Sequence, residues 1–471
     1  MSETDLFPEA AVPAISPGHP FDEDDRLRPD YVRAVLNAVG TGDAARVHAL
    51  VEPLHPADVA DLFELTPRED RADLAHAVAD LLDGDVFAEM NDYVREDLID
   101  ALEPHQVAHI AAALDTDDAV AIIEDMEPAD QREVLRAMEP DDRAAIEEAL
   151  SYPEESAGRL MQRELIAVPE HWSVGDAIDY LRDHEELTTD FWEVFVVDPA
   201  RKPVGTVALS WMLRTPRGIA IGDVMQREQT LIPVDMDQEE VALRFQKYAL
   251  ISAAVVDQAG RLVGMITVDD VVHIISEEAG EDTLRLAGAG DGDINEPIGL
   301  TVRTRVVWLV INLGTAVVAA GVVGLFEGEI AKFALLAALM GIVSGMGGNA
   351  GTQTLAVVVR AMATNQLTNS NTMWMILREF RIALANGLLL GVLIGGGTIL
   401  VYHNVPLGIV FGLSILINNL VAGLSGVLIP IGLERSGVDP AVSSAVFVTM
   451  MTDCSGFFAF LGLAALWGLH G

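Results

Sequence analysis

The sequence predicts a multidomain membrane protein: an α-helical superhelical N domain, an α/β pair of tandem domains, a connecting helix and a five-helix transmembrane domain. The first observation is a conflict, since 51% of the 471 residues are hydrophobic and yet the formal net charge is −43. The second observation explains this combination. From Gly299 onward the chain has seven Lys/Arg and six Asp/Glu residues, so this part is almost neutral and the negative charge lies before it. The third is an internal duplication within the acidic part. At least two domains are therefore required.

The charge and the missing motifs limit the function classes. An acidic surface of this kind repels the phosphates of nucleic acid, so we expect cations and no nucleic acid as partners. Cys454 is the only cysteine, which excludes an intrachain disulfide and a thiolate metal cluster within one chain. The sequence has no Walker or HExxH motif and no Ser/His/Asp set, so we expect no enzyme.

The N-terminal part is predicted to be helical after a short tail. Residues 1–30 are rich in Pro, Asp and Glu, so we expect a disordered acidic tail. Residues 31–159 contain short amphipathic segments after Pro or acidic turns, as in LHPADVADLFELTPREDRADL and MEPADQREVLRAMEPDDRAAIEEAL. Such repeated helix pairs predict a small superhelical domain, which would serve protein interaction or sensing.

An internal duplication defines the α/β region. The sequence MQRE at 161–164 recurs at 225–228, and the sequence VVD at 196–198 recurs at 255–257. Each copy has the pattern strand, helix, strand, turn, strand, helix. This resembles a tandem pair of cystathionine-β-synthase (CBS) domains. The predicted limits are 160–221 and 222–276, followed by an acidic connecting helix at 277–302.

Five apolar segments make up the predicted transmembrane domain, residues 303–471. At ~1.5 Å per residue, each segment is long enough to cross ~30 Å of hydrocarbon. The predicted spans are approximately 304–326, 331–359, 382–402, 407–431 and 441–468.

Flanking charge predicts the orientation of the spans. If the acidic part is cytosolic, Lys332 alone among the flanking basic residues lies outside, which satisfies the positive-inside rule. An odd number of spans then leaves the N-terminus cytoplasmic and the C-terminus extracellular, in the cell membrane. We expect no signal peptide, because the first long apolar stretch follows Arg305. The basic residues on the predicted cytosolic side are Arg303, Arg305, Arg360, Arg378, Arg381 and Arg435.

Asp453 is the most informative residue, because it lies in the middle of the last span. A charged side chain at that depth costs at least ~2.5 kcal/mol and marks a functional site by default. In a two-fold dimer, two copies of Asp453 could face one axial pathway. The alternative is a structural carboxylate bonded to nearby hydroxyls such as that of Thr452.

A glycine-rich stretch in the second span is the other candidate. Five glycines fall between Gly341 and Gly351, so we expect irregular backbone whose carbonyl oxygens line a water-filled cavity. Asn349, Thr352 and Gln353 add oxygen ligands at the same level. The alternative is close helix packing through small residues.

The candidate ligands are all oxygens, which suits a hard cation rather than zinc or copper. Few formal charges and room for water suit Mg²⁺, which keeps several of its waters. On chemistry alone, Ca²⁺, Mn²⁺ or a coupled proton would fit nearly as well.

From about residue 53 to its end, the chain resembles the MgtE family of magnesium channels. The matching stretches include LHPADVADL, DQEEVALRFQKY, EEAGEDTLRLAG, GGNAGTQTLAVVVRAMA and TMMTDCSG. The resemblance implies a homodimeric Mg²⁺ channel in membrane lipid, closed by cytosolic Mg²⁺. On this resemblance the metal-binding residues of the pore are Asp453, Asn349, Gln353, Thr449 and Asn419. The implied regulatory metal-binding acids are Asp118, Glu239, Asp270, Glu278, Glu281 and Asp282.

Some positions depart from the family pattern. Ala249, His273 and Ala121 stand where relatives carry acids, so some regulatory sites should be weaker. Ser210 and Trp211 occupy the places of an Arg–Asp pair, which makes ATP binding to the CBS domains doubtful. Two other functions remain open: a proton- or sodium-coupled divalent cation transporter, and a membrane-anchored sensor.

Overall fold

The computed structural model describes residues 19–100, 102–124, 126–183, 191–289 and 294–468. The chain divides into two compact units, Met1–Ile275 and Ser276–Gly471, which we call the first and second units.

Within the described residues, ten short helices form the N-terminal part of the first unit. Five of them begin at a proline, which the first turn of a helix tolerates because its N–H groups have no intrahelical partner. Their apolar faces meet in one core around Phe63 and Phe87, as the helical periodicity predicts. The helices are α1 (Pro29–Gly40), α2 (Ala44–Val51), α3 (Pro56–Glu64), α4 (Arg68–Ala77), α5 (Gly84–Ala88), α6 (Asp92–Ile99), α7 (Pro104–Ala111), α8 (Thr116–Glu124), α9 (Pro128–Ala137) and α10 (Pro140–Ala149).

The predicted disordered tail is only partly described, since residues 1–18 lie outside the described residues. From residue 19 onward the prediction of disorder is wrong. Phe21 and Leu27 form an isolated β-bridge, and Leu27 is buried in the helical core. Burial of this apolar side chain provides the free energy that orders the segment.

Two three-stranded sheets follow, and they confirm the CBS duplication. Each sheet pairs its first two strands in parallel and its last two antiparallel, with a register shift at Val196/Val197 in one and Val255/Val256 in the other. The elements are β1 (Ala167–Pro169), α11 (Val174–Asp183), β2 (Glu193–Val197), β3 (Pro203–Ala208), α12 (Leu209–Met212), α13 (Ile221–Val224), β4 (Leu231–Pro233), α14 (Gln238–Tyr248), β5 (Ser252–Val256), β6 (Leu262–Thr267) and α15 (Val268–Ala287).

The repeated MQRE segments link the two copies crosswise. Gln162 of the first copy bridges Met265 of the second, and Gln226 of the second bridges Thr206 of the first. A Cβ added at Gly264 would lie 2.7 Å from the Gln162 carbonyl oxygen, so only glycine permits this approach. The pair is therefore one packed body.

In the described part of the second unit, five helices are long and apolar enough to span a membrane, as predicted. The third begins at Thr372, ten residues before the predicted start, because the apolar pattern continues through the charged stretch REFR. A short helix between the first two spans was not predicted. The helices are α16 (Ile298–Gly324), α17 (Glu327–Lys332), α18 (Leu335–Ala363), α19 (Thr372–Tyr402), α20 (Val405–Glu434) and α21 (Pro440–Trp467).

The glycines of the second span support packing, and the prediction of irregular backbone is wrong. Helix α18 is continuous from Leu335 to Ala363. A Cβ added at Gly351 would lie 2.6 Å from Val448 of α21, and one at Gly347 would lie 2.0 Å from Asn418 of α20. Small residues let these helices approach closely, because no larger side chain separates their backbones.

Candidate functional site

Asp453 lies near the middle of α21 and is half-buried. The hydroxyl of Ser344 on α18 donates a hydrogen bond to Asp453 Oδ1. Thr452, the partner considered from sequence, instead donates to the Thr449 carbonyl oxygen at 2.9 Å. Among the described residues no Lys or Arg forms an ion pair with Asp453. Within the described residues, the Ser344 hydroxyl is therefore the side-chain partner of the Asp453 carboxylate.

Asn418 supports the helices around Asp453, and sequence reasoning missed it. Its side chain is fully buried, its Nδ2 donates to the Val343 carbonyl oxygen of α18 at 2.8 Å, and its Oδ1 accepts from Ser455 of α21 at 3.1 Å. Gly347 and Gly456 leave room for it. The signal was present, since a buried amide in a span needs partners on neighbouring helices.

Polar side chains also lie exposed along two of the spans. Asn349, Thr352 and Gln353 are exposed on α18, and Thr449 is exposed on α21. The Thr352 and Thr449 hydroxyls donate to carbonyl oxygens of their own helices at 2.9 Å. No group of three or more His, Cys, Asp or Glu side chains able to hold a metal ion occurs within the described ranges. One chain therefore offers isolated oxygen ligands and no closed coordination shell.

Two of the predicted pore residues, Gln353 and Asn419, line a cavity of about 190 Å³ between α18, α19 and α20. Asn419 is buried, and its Nδ2 donates to the Ile415 carbonyl oxygen at 2.9 Å. The cavity also contains Glu379, which is 5% exposed and forms an ion pair with Arg378. Sequence reasoning missed Glu379 because the predicted third span began after it.

The regulatory candidates of the first unit come together only in part. Asp118 on α8 and Asp270 on α15 interact electrostatically, and Asp117, which was not predicted, belongs to the same group. Burial first, and then the charge of Asp270, raises the pKa of Asp118 to about 6. Burial likewise raises the pKa of Asp117 and of Asp270. We call these three residues the interface acids.

Within the described residues, protein groups form hydrogen bonds with only some of the carboxylate oxygens of the interface acids. Asp117 Oδ1 is buried without a hydrogen-bond partner within the described residues. Asp270 accepts from the Thr267 hydroxyl at 2.7 Å. Glu239, also predicted as regulatory, is an exposed residue in the first turn of α14. An unpartnered carboxylate oxygen among like charges is an arrangement that a cation would stabilise.

The regulatory candidates of the second unit lie on the end of α15. Glu278 and Glu281 are half-buried, and Glu281 forms an ion pair with Arg285. Arg285 also pairs with Asp439, which caps the start of α21, at 3.1 Å. The side chain of Asp282 lies outside the described part of the structure. Sequence reasoning missed Asp439, although an Asp before Pro-Ala is a typical N-cap.

Comparison with known proteins gives matches along the chain. Family models match residues 340–463 (MgtE, divalent cation transporter), 54–155 (MgtE intracellular N domain), and 157–210 and 221–277 (CBS domain). The magnesium transporter MgtE of Enterococcus faecalis is 31% identical over 68% of this chain and 71% of its own length. The magnesium transporter MgtE of Thermus thermophilus is 32% identical over 68% of this chain and 72% of its own length.

Two solved structures each match about half of the chain. The soluble part of a magnesium transporter is 23% identical, with a TM-score of 0.46, and covers 53% of this chain and 98% of its own. The cytosolic domain of the Mg²⁺ channel MgtE in complex with ATP is 26% identical, with a TM-score of 0.48, and covers 52% of this chain and 99% of its own.

Proposed function

Since the chain belongs to the MgtE family of magnesium transporters and is a multi-pass membrane protein rather than an enzyme, we propose that it is a Mg²⁺-selective channel closed by cytosolic Mg²⁺. The observation that carries the proposal is Asp453, a half-buried carboxylate in the last span that, within the described residues, accepts a hydrogen bond from the Ser344 hydroxyl. A carboxylate at this depth requires water or an ion beside it.

The pore is proposed to form between two copies of the chain. In hydrocarbon, the exposed amides of Asn349 and Gln353 on α18 would have no water to hydrogen-bond with, which is costly. A second copy related by a two-fold axis would cover this face and would place two Asp453 residues beside one pathway. Asn349, Gln353, Thr449 and Asn419 complete the proposed set of pore residues.

Magnesium is the proposed ion because of the type and number of ligands. Carboxylate, amide and hydroxyl oxygens suit hard cations. One carboxylate per copy supplies too few ligands to replace a full hydration shell, and Mg²⁺ usually retains several of its waters. A pathway of this composition would therefore conduct partly hydrated Mg²⁺.

The proposed orientation places the first unit in the cytosol. Six arginines of the second unit then lie on the cytosolic side and Lys332 lies outside, consistent with the positive-inside rule. Five spans leave the C-terminus extracellular in the cell membrane.

Closure is proposed to follow from Mg²⁺ binding to the regulatory acids. The raised pKa values of the interface acids mean that their ionised forms are unfavourable in this packed arrangement. A divalent cation offsets that repulsion, so it binds the packed form preferentially and increases its population. Glu239 and the acids of the connecting helix, Glu278, Glu281 and Asp282, are proposed to bind regulatory ions as well.

Magnesium rather than ATP is the proposed regulatory ligand of the CBS pair. ATP is present in the related cytosolic domain, but here Ser210 and Trp211 stand where the family often has an Arg–Asp pair. Neither residue supplies a cation for phosphate or a carboxylate for ribose. Calorimetric titration of the full chain with ATP should give no saturable heat.

Transport by purified protein in proteoliposomes tests the proposal. The Asp453→Ala variant should lose Mg²⁺ uptake, and Glu434→Ala, which removes an exposed acid at the end of α20, should retain it. Undiminished uptake by Asp453→Ala would remove the pore assignment.

A proton- or sodium-coupled transporter is the second candidate, because the Asp453 carboxylate, which accepts a hydrogen bond from Ser344, could also carry a proton. The two functions differ in their driving force. Channel flux depends only on the Mg²⁺ gradient and the voltage, whereas coupled transport requires an imposed proton or sodium gradient.

A further inference from the structure

The first copy of the repeated MQRE sequence, residues 161–164, forms hydrogen bonds with the helical domain. The Thr116 hydroxyl donates to Glu164 Oε1 at 2.7 Å, and the Thr116 backbone N–H donates to Glu164 Oε2 at 3.2 Å. Thr116 is buried and is the first residue of α8. Because hydrogen bonds to a carboxylate are stronger than those between neutral groups, this contact holds the start of α8 against the segment.

The end of α8 is held by a neighbouring part of the chain. Glu124 is the last residue of α8, and its carboxylate forms an ion pair with Arg159. The two contacts lie at opposite ends of one helix. Loss of the Glu164 contact would therefore release the start of α8 while its end stays attached.

The MQRE segment also pairs with the second CBS copy. Gln162 and Met265 of β6 exchange backbone hydrogen bonds with N···O distances of 2.8 and 2.9 Å. Strand β6 ends two residues later at Thr267, whose hydroxyl donates to Asp270. One four-residue segment therefore contacts both structural elements that carry the interface acids, α8 directly and α15 through the end of β6.

The interface acids oppose the packing that brings them together. Asp117 and Asp118 follow Thr116 in the first turn of α8, and both interact electrostatically with Asp270. Like charges at short range repel each other, so attractive contacts elsewhere must hold α8 near α15. The hydrogen bonds between Thr116 and Glu164 are attractive contacts one residue away from Asp117.

The second copy of the repeat shows which role belongs to the carboxylate. Gln226 and Thr206 exchange backbone hydrogen bonds at 2.8 and 3.0 Å, as Gln162 does with Met265. Glu228, which matches Glu164 in the repeat, is exposed. The backbone pairing is thus common to both copies, whereas the bonds from Glu164 to Thr116 serve the contact with the helical domain.

We propose that Glu164 is a positioning residue for the regulatory cation: by binding the start of α8, it holds Asp117 and Asp118 where a divalent cation can bind between them and Asp270. Glu164 is not itself a ligand, because its oxygens accept from Thr116 and from the Arg163 backbone N–H. The inference rests on the proposed function, since it requires that the interface acids bind regulatory Mg²⁺.

The Mg²⁺ dependence of closure tests this role. In planar bilayers, Glu164→Ala should raise the cytosolic Mg²⁺ concentration that half-inhibits the current about tenfold, because hydrogen bonds to a charged group no longer stabilise the packed form. Glu228→Ala removes the matching exposed carboxylate and is the control, which should have the half-inhibiting concentration of wild type. A Glu164→Ala chain with wild-type sensitivity would overturn the proposal.

Conservative variants distinguish positioning from simple charge attraction. Glu164→Gln keeps an oxygen that accepts from Thr116, so it should recover part of the sensitivity that Glu164→Ala loses. Equal shifts for these two variants would mean that the charge alone matters and would contradict a positioning role. Thr116→Val should shift inhibition in the same direction as Glu164→Ala, and Thr116→Ser, which keeps the hydroxyl, should not. These Thr116 variants decide the question if Glu164→Ala does not fold.

Two further outcomes have separate meanings. A carboxylate that only stabilises α8 would change the unfolding of the full chain without Mg²⁺ and leave the half-inhibiting Mg²⁺ concentration unaltered, which would overturn the positioning role alone. If cytosolic Mg²⁺ does not inhibit the wild-type current, the gating proposal is wrong and this inference is wrong with it.

Discussion

The proposed function depends on single residues. Sequence analysis predicted some of the notable residues of the spans and missed others. Asp453 was predicted because one acid within an apolar span is conspicuous. Glu379 was not, because Arg378 and Arg381 beside it mimic the charged end of a span. Asn418 was missed because its role depends on Val343 and Ser455, which are distant in sequence. Lone charges can thus be found from sequence, whereas buried pairs and amide networks require the fold.

Asp118 should make the stability of the first unit depend on pH. Its pKa is raised from 3.8 to about 6, so the folded chain binds more protons than the unfolded chain between these values. Without divalent ions, the stabilising contribution is complete below about pH 4 and is lost as the pH rises through about 6. Urea unfolding of wild type and Asp118→Asn at several pH values measures this.

The stability of the Asp118→Asn variant should depend less on pH than that of wild type. Asp118→Asn should lose much of the decline in stability between about pH 4 and 6. Asp22→Asn, which replaces an exposed acid whose pKa is lowered by backbone N–H groups, should retain the decline and serves as control. Equal pH profiles for Asp118→Asn and wild type would contradict the assignment.

At the scale of elements, the order of helices and strands followed from sequence, and the packing did not. Periodicity and duplication predicted the helical domain, both sheets and all five spans. They did not reveal that α18 is unbroken, because a glycine-rich sequence is compatible with both irregular backbone and close helix packing. Only the positions of neighbouring helices distinguish these possibilities.

The packing of helix α19 against helix α20 should depend on individual glycines. A Cβ at Gly395 would lie 2.7 Å from the Gly408 carbonyl oxygen, whereas a Cβ at Gly397 would meet nothing within 4 Å. Overpacking of this kind costs about 1–3 kcal/mol. Gly395→Ala should therefore lower the thermal unfolding temperature of the full chain in detergent, and Gly397→Ala should leave it unchanged or raise it. Equal effects would show that the close approach does not limit packing.

At the scale of the whole molecule, the charge distribution supports the proposal that the acidic part regulates transport. Almost all of the net charge of −43 precedes the spans, and acids of both units are the proposed regulatory ligands. The sequence predicted this division and the family. It could not predict that Asp270 on α15 interacts electrostatically with Asp117 and Asp118 on α8, because the two helices are far apart in sequence.

Joint neutralisation of regulatory acids should uncouple closure from Mg²⁺. In the variant Asp270→Asn, Glu278→Gln, Asp282→Asn, Mg²⁺ current in planar bilayers should persist at high cytosolic Mg²⁺, because the packed form no longer binds ions preferentially. Neutralising the exposed acids Asp141 and Asp142 of α10 is the control and should leave inhibition intact. Unaltered inhibition of the triple variant would contradict the gating proposal.

The most direct test of the central claim is whether water reaches position 453. An Asp453→Cys chain that also carries Cys454→Ala has one thiol, which a membrane-impermeant thiol reagent can modify only through an aqueous pathway. We expect rapid modification without Mg²⁺, slowed by excess Mg²⁺ that closes the pathway. A thiol that stays unreactive under both conditions, in folded protein, would mean that dry packing surrounds this position and that no ion passes it.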